Sequence, residues 1–225
     1  MKEQQKKYEL TGEFIEHWSG KKLYRIKALV SFGVVVAGQL GGFIESEKNL
    51  DQSLSGNAWV SGNAWVYGDA RVSGNARVYG DARVYGDARV YGDAEVYGDA
   101  RVFGNARVYG DAEVYGDARV YGDAEVFGNA RVYGDARVYG DARVRSYAVI
   151  SERKMIFGAS NVGSENGTLT VFNGKDGLIV TRGCFTGTVD EFLAKSAKVH
   201  DNKTKNEYKL LIEVAKSRIL GVKDE

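Results

Sequence analysis

Proline is absent from this 225-residue chain, cysteine occurs once and histidine twice. Each scarcity removes a class of explanation. Without proline every internal residue keeps its backbone N–H, which suits a fold where nearly every amide must bond a neighbouring strand. One thiol, Cys184, permits no intrachain disulfide and no cysteine-rich metal site, and is expected to be a small buried residue. His17 and His200 are too few for a three-histidine zinc centre, so no metal and no cofactor is expected. Between 51 and 150 there is neither lysine nor threonine, and lack of threonine ladders argues against an ice-binding face. The short run Val34-Val35-Val36-Ala37 falls far below membrane-spanning length, and the polar segment from Met1 to Lys7 does not read as a signal peptide.

What is present is a six-residue beat. From Leu54 to Ile150 an aliphatic residue falls on every sixth position, and fifteen valines run unbroken from Val60 to Val144. Written as Ala82-Arg83-Val84-Tyr85 followed by Gly86-Asp87, the unit is a short strand and a corner. Side chains alternate along a strand, so Ala82 and Val84 face inward while Arg83 and Tyr85 face out. The Gly-Asp or Gly-Asn pair supplies a residue free to take positive φ and a short polar side chain that bonds the turn. A helix is excluded, because six residues do not fit 3.6 per turn and each glycine would cost roughly 1 kcal/mol relative to alanine. Identical units turning the same way suit a coil better than a hairpin meander, and hexapeptide periodicity marks a parallel β-helix.

The aliphatic residue at i with a small residue at i+4, as in Val84 and Ala88, resembles the hexapeptide-repeat proteins. That resemblance implies a mainly β chain built as a left-handed parallel β-helix, a triangular solenoid with three hexads per 18-residue coil. The handedness rests on the resemblance, since crossovers between parallel strands are otherwise right-handed. Three hexads per coil sort the outward residues onto three faces. Tyr79, Tyr97, Tyr115 and Tyr133 are placed with Arg83, Arg101, Arg119 and Arg137, with Trp65 at the lower end. A second face takes Tyr67, Tyr85, Phe103, Tyr121 and Tyr139 beside Arg71, Arg89, Arg107, Glu125 and Arg143. The third takes Tyr91, Tyr109 and Phe127 beside Trp59, Arg77, Glu95, Glu113 and Arg131. Only the first stacks arginine without a glutamate, which makes it the candidate interaction surface. The plainer alternative is that stacked rings and guanidinium groups cover the solenoid sides, with arginines paired to corner aspartates.

Charge argues against general nucleic-acid binding. Residues 51–150 hold eleven arginines against eleven aspartates and three glutamates, a net of −3, and the whole chain is +1. There is no basic field to neutralise a phosphate backbone. Hexapeptide-repeat acyltransferases use a histidine base, but neither histidine here lies in the regular coils, and both are expected at the surface. The repeats also carry no insertion able to form a pantetheine-binding loop, so no catalytic residue is assigned. Asp81, Asp99, Asp117 and Asp135 lack the nonapeptide pattern of calcium-binding repeats and are expected to cap corners.

The flanks read as covers for the two open ends of the coil. Residues 1–35 are expected to form an N-terminal β-hairpin cap, with strands over 8–18 and 23–32. Residues 36–162 form the coil, regular over 54–150, with Val36 one turn before Leu54, an irregular first coil at 41–45 and fraying through 151–162. Residues 163–225 form a small α/β cap, with strands at 168–172 and 178–181 and two helices opened by capping boxes at Thr188/Glu191 and Thr204/Glu207. The last helix buries Tyr208, Leu211, Ile212, Ala215 and Ile219.

The segments Gly38-Gln39-Leu40-Gly41-Gly42-Phe43-Ile44-Glu45 and Gly183-Cys184-Phe185-Thr186-Gly187-Thr188-Val189-Asp190-Glu191-Phe192 are similar to the opening and closing parts of hexapeptide-repeat proteins of phages and prophages. The resemblance implies a phage-type protein but no activity; with broad ordered surfaces and no catalytic set, the chain is expected to be a non-enzymatic protein-binding module in the cytoplasm of a bacterial host cell, with a host or phage protein as partner. Inhibition by occlusion of a host antiviral defence component, for example a CRISPR-Cas effector, is the expected role. The alternatives are a degenerate acyltransferase-like enzyme using His17 or His200, and a virion or structural component. Related β-helices often associate along their sides, so a homo-oligomer, dimer or trimer, is an open expectation.

Overall fold

A computed structural model describes residues 5–221, so Met1–Gln4, where the polar N-terminal segment begins, lie outside the described residues. The repeat builds a parallel β-solenoid. Each hexad contributes a short strand, typically Arg-Val, and each strand pairs with the one 18 residues on, as Arg83 beside Arg101 and Arg101 beside Arg119. Three hexads therefore close one turn. Every repeat alanine and valine from Ala58 to Val144 is at most 5% exposed, so the two inward columns form one continuous core. Amides point along the axis: Arg83 N–H donates to Ala100 O at 2.9 Å and Tyr85 N–H to Val102 O at 3.0 Å.

Three sheets result. One runs through Trp65–Val66, Arg83–Val84, Arg101–Val102, Arg119–Val120 and Arg137–Val138. It extends downward through β3 (Leu40–Ile44), β2 (Lys22–Ala28) and β1 (Tyr8–Glu16), eight strands in all. The second runs from Trp59–Val60 to Val149–Ile150 and the third from Arg71–Val72 to Arg143–Val144. With β3 in parallel register on Trp65–Val66, about six turns are stacked.

The first turn departs from the expected spacing. Ile44 stacks on Val66 and Leu50 on Val72, offsets of 22 residues. Four extra residues lie between Leu50 and Val60, so Leu54, though on the six-residue count, is 48% exposed and Val36 is 64% exposed. The insertion serves the hairpin. Gln52 reaches across it, accepting Lys7 N–H at 2.9 Å and donating to Tyr8 O at 3.0 Å. The hairpin itself forms as expected, with a turn closed by His17 N–H to Lys21 O at 2.8 Å.

Amides that all point upward leave orphan carbonyls at the bottom of the stack and orphan amides at the top. The caps are built to this polarity. Buried Lys7 donates its ammonium to Ala58 O at 3.2 Å and Gly56 O at 3.4 Å, and burial pushes its pKa down against the opposing charge of Asp51. Asn49, fully buried, donates Nδ2 to Gly68 O at 3.0 Å and Ala70 O at 2.9 Å. At the upper end Thr170 Oγ1 accepts Arg143 N–H at 3.4 Å.

Residues 151–162 do not fray along the coil. Ile156–Val162 reverses and pairs antiparallel with Gly167–Gly174, which continues through Gly177–Arg182 and Phe185–Thr188 as a four-stranded sheet. The six-residue count survives at Ile156 and Val162, but the glycine corners are gone and nothing turns the chain inward. Helix α1 (Val189–Val199) starts at the expected capping box, Thr188 Oγ1 accepting Glu191 N–H at 3.2 Å and Glu191 Oε2 accepting Thr188 N–H at 2.8 Å. Helix α2 (Asn202–Leu220) starts earlier than expected. Its cap is Asp201, which accepts Thr204 N–H at 2.8 Å, while Glu207 accepts Gly163 N–H at 3.0 Å instead of closing a box with Thr204. Its buried face holds Tyr208, Ile212, Ala215 and Ile219.

Candidate functional site

The Gly-Asp corner decides which columns share a face. In the regular turn Gly80-Asp81 lies between Tyr79 and Arg83, so these two stand on adjoining faces, not on one. The expected grouping of Tyr79, Tyr97, Tyr115 and Tyr133 with Arg83, Arg101, Arg119 and Arg137 is corrected accordingly. Ring and guanidinium on one strand are two residues apart, and the arginine column shares its face with Tyr67, Tyr85, Phe103, Tyr121 and Tyr139. Those rings stack at 5.0, 4.9, 4.9 and 5.5 Å, with their planes nearly parallel. Arg83 lies 4.4 Å over the Trp65 ring. At the lower end His17 packs at 4.8 Å from Tyr67 and edge-on to Trp65 at 6.0 Å. It is 5% exposed, not at the surface as expected, because the hairpin turn folds it onto the aromatic column.

Among the described residues no carboxylate pairs with Arg83, Arg101, Arg119 or Arg137, although each is half-buried beside a like charge. The other faces differ. Arg77 pairs with Glu95 at 2.9 Å and Arg131 with Glu113 at 3.2 Å, while Glu125 is held between Arg107 at 3.5 Å and Arg143 at 3.2 Å. Arg77, Arg107, Arg131 and Arg143 thus find glutamates one turn away and not the corner aspartates, while among the described residues Arg71 and Arg89 pair with neither. Those aspartates join the corner columns, where Asn63 donates to Asp81 at 3.3 Å and Asn105 to Asp123 at 2.9 Å. Asp81, Asp99, Asp117 and Asp135 border the arginine face on one side, and Asp69, Asp87, Asp123 and Asp141 on the other. The face is a cationic stripe and an aromatic stripe between two acidic edges.

The tyrosines assigned away from it are bound into the neighbouring face. Tyr79 donates to Glu95 at 2.8 Å and Tyr97 to Glu113 at 3.2 Å. Desolvation first, and the Glu95 carboxylate second, push the Tyr79 phenol up to about 12. The folded state therefore holds this proton more tightly than the unfolded chain, whose phenol titrates near 10.0. Stability that is whole below pH 10 is lost as pH rises from 10 toward 12. Phenolate absorbance during alkaline titration should show Tyr79 ionising at lower pH in Glu95→Gln than in the parent; coincident curves would mean that Glu95 does not hold it.

The remaining candidates are dispersed. His200 caps α1, its N–H bonded to Ser196 O at 3.1 Å, while His17 sits in the N-terminal hairpin, so the two imidazoles occupy opposite caps. Cys184 is exposed, contrary to expectation, on the turn between two C-terminal strands. Among the described residues no group of three or more histidine, cysteine or acidic side chains could hold a metal ion. Among the described residues no helix is long and apolar enough to cross a membrane.

A family model described as YdcK Beta solenoid repeat matches residues 70–86, 82–98, 94–110 and 100–116. The matches begin at intervals that are multiples of six and fall wholly within the regular turns, so they follow the same hexad that the strand register shows. The chain is a repeat β-solenoid protein. No curated protein matches it.

Proposed function

We propose that the chain is a non-enzymatic protein-binding module that works by occlusion, with the arginine face as its contact surface. The observation that carries this is the uncompensated column Arg83, Arg101, Arg119 and Arg137 beside five stacked rings, on a frame whose other faces neutralise arginine with glutamate wholly or in part. Arginine and aromatic groups held rigid lose little side-chain entropy on binding and are the side chains that dominate interfaces. The flanking aspartates cancel the long-range field, so nucleic acid gains little, and the partner that fits presents a narrow acidic stripe bordered by basic groups. The segments Gly38–Glu45 and Gly183–Phe192 support the finer reading, a hexapeptide-repeat protein of phage type acting in the bacterial host cytoplasm on an antiviral defence component such as a CRISPR-Cas effector.

The test uses Arg101→Glu with Arg119→Glu as bait beside the parent chain in a host lysate. The new carboxylates sit in a column of guanidinium groups, as Glu125 already does between Arg107 and Arg143, so the fold is kept. Capture of a specific partner should fall by at least about a hundredfold, the effect of reversing two central contacts. Recovery of the same partner by both baits, or of no specific partner by the parent, refutes the proposal.

A further inference from the structure

The C-terminal subdomain contains a second surface feature, independent of the arginine face. A cleft of about 170 Å³ opens between the turn after Arg182, the end of α1 and the start of α2. Its wall is a connected set of rings, Phe185 to Phe192 at 5.4 Å, Phe192 to Tyr208 at 5.0 Å and Tyr208 to His200 at 5.4 Å. An apolar cavity of about 150 Å³ is large enough to take benzene. The space suits one ring.

Arg182 gives this cleft its chemistry. The guanidinium is half-buried, and Nε donates to Tyr208 Oη at 3.1 Å while Nη2 donates to Val162 O at 3.1 Å. Both acceptors are neutral, and among the described residues no carboxylate pairs with it. The fork is thus oriented but not discharged. Gly163 secures its partner: it takes φ +69°, and a Cβ there would overlap the Tyr208 hydroxyl. Lys195 adds a second cation, its Nζ 5.3 Å from the Phe185 ring centre. Glu165 is the only carboxylate on the lining against Arg182 and Lys195, so these three side chains sum to one net positive charge. The buried Ser196 hydroxyl is 3.2 Å from His200 Nδ1 and fixes that ring, leaving Nε2 as a further polar group. A half-buried guanidinium with neutral partners, beside an aromatic wall, is matched by a ligand with one negative charge and one flat apolar group.

We propose that this cleft binds a small aryl carboxylate, with the ring against Phe185 and Phe192 and the carboxylate on Arg182, steered by Lys195. A monoanion balances the lining charge, whereas a dianion overshoots it.

Cys184 lies on the rim, is exposed and is the only thiol in the chain, so its alkylation by N-ethylmaleimide reports occupancy. With the full chain, benzoate should slow alkylation saturably while its neutral isostere benzamide does not. Arg182→Met should weaken benzoate protection by about tenfold or more, as loss of a charged hydrogen bond does. Lys195 is exposed, so Lys195→Met keeps the fold even where Arg182→Met does not, and it should weaken protection severalfold. Equal protection by benzoate and benzamide, no protection by either, or unchanged protection in Lys195→Met overturns the proposal.

Discussion

Gly98→Ala is expected to destabilise the chain by about 2–4 kcal/mol in urea unfolding, more than the same methyl group added at the open corner Gly140. Two terms combine there. Gly98 has φ +68°, where an L side chain costs about 1–2 kcal/mol. A Cβ would also lie 3.0 Å from Gly116 N in the next turn. That corner is flanked by ladder bonds, Tyr97 N–H donating to Val114 O at 3.0 Å and Arg101 N–H to Ala118 O at 2.9 Å, so it has little room to retreat. Gly140 isolates the first term, since it has φ +62° with nothing within 4 Å. Gly140→Ala should therefore cost only about 1–2 kcal/mol. Ser146 shows the same logic in the natural chain: it occupies a corner at φ 62° near the top of the stack. If Gly98→Ala proves no worse than Gly140→Ala, contact between corners is not what demands glycine.

Asn49→Ala is expected to cost about 3 kcal/mol or more, because burial leaves every abandoned partner without water. Its Nδ2 satisfies two carbonyls at the lower rim, and its Oδ1 accepts Ser46 N–H at 3.0 Å. Those carbonyls face downward from the turn above the irregular first one, and the Asn49 amide meets them in place of a strand amide. Asn63→Ala is the control. It removes a 3.3 Å bond to Asp81 at an exposed corner, where water replaces the lost partner, and should change stability by no more than about 0.5 kcal/mol. Equal effects at the two asparagines would show that the polarity of the stack does not set the demands on its caps.

The repeating part of the fold was legible because each unit carries its own instruction. Val84 and Ala82 inward, Arg83 and Tyr85 outward and Gly86 at a corner all follow from alternation and backbone sterics within six residues. Legibility failed where position depends on what lies one turn away. Leu54 keeps the count yet is displaced, because Gln52 needs four extra residues to reach Lys7 and Tyr8. Thr204 and Glu207 have capping-box spacing, but Asp201 caps α2 and Gly163 takes Glu207. Cys184 was expected inside and His17 outside; the strand turn and the hairpin placed them the other way.

The candidate surface shows the same division. That one column stacks four arginines with no glutamate is a matter of 18-residue spacing, and the sequence by itself determined it. Spacing also determined the solenoid, its buried alanine and valine columns and the aromatic ladders. Which aromatic column stands beside those arginines was decided only in three dimensions, because the chain turns at Gly80-Asp81 and separates residues four apart onto two faces. The tertiary structure alone also decided that the glutamates, and not the corner aspartates, take Arg77, Arg107, Arg131 and Arg143, and that Arg182 is held by neutral partners beside a wall of aromatics. Periodicity sorts residues into columns; charge pairing and cleft formation depend on how those columns and the caps meet across space.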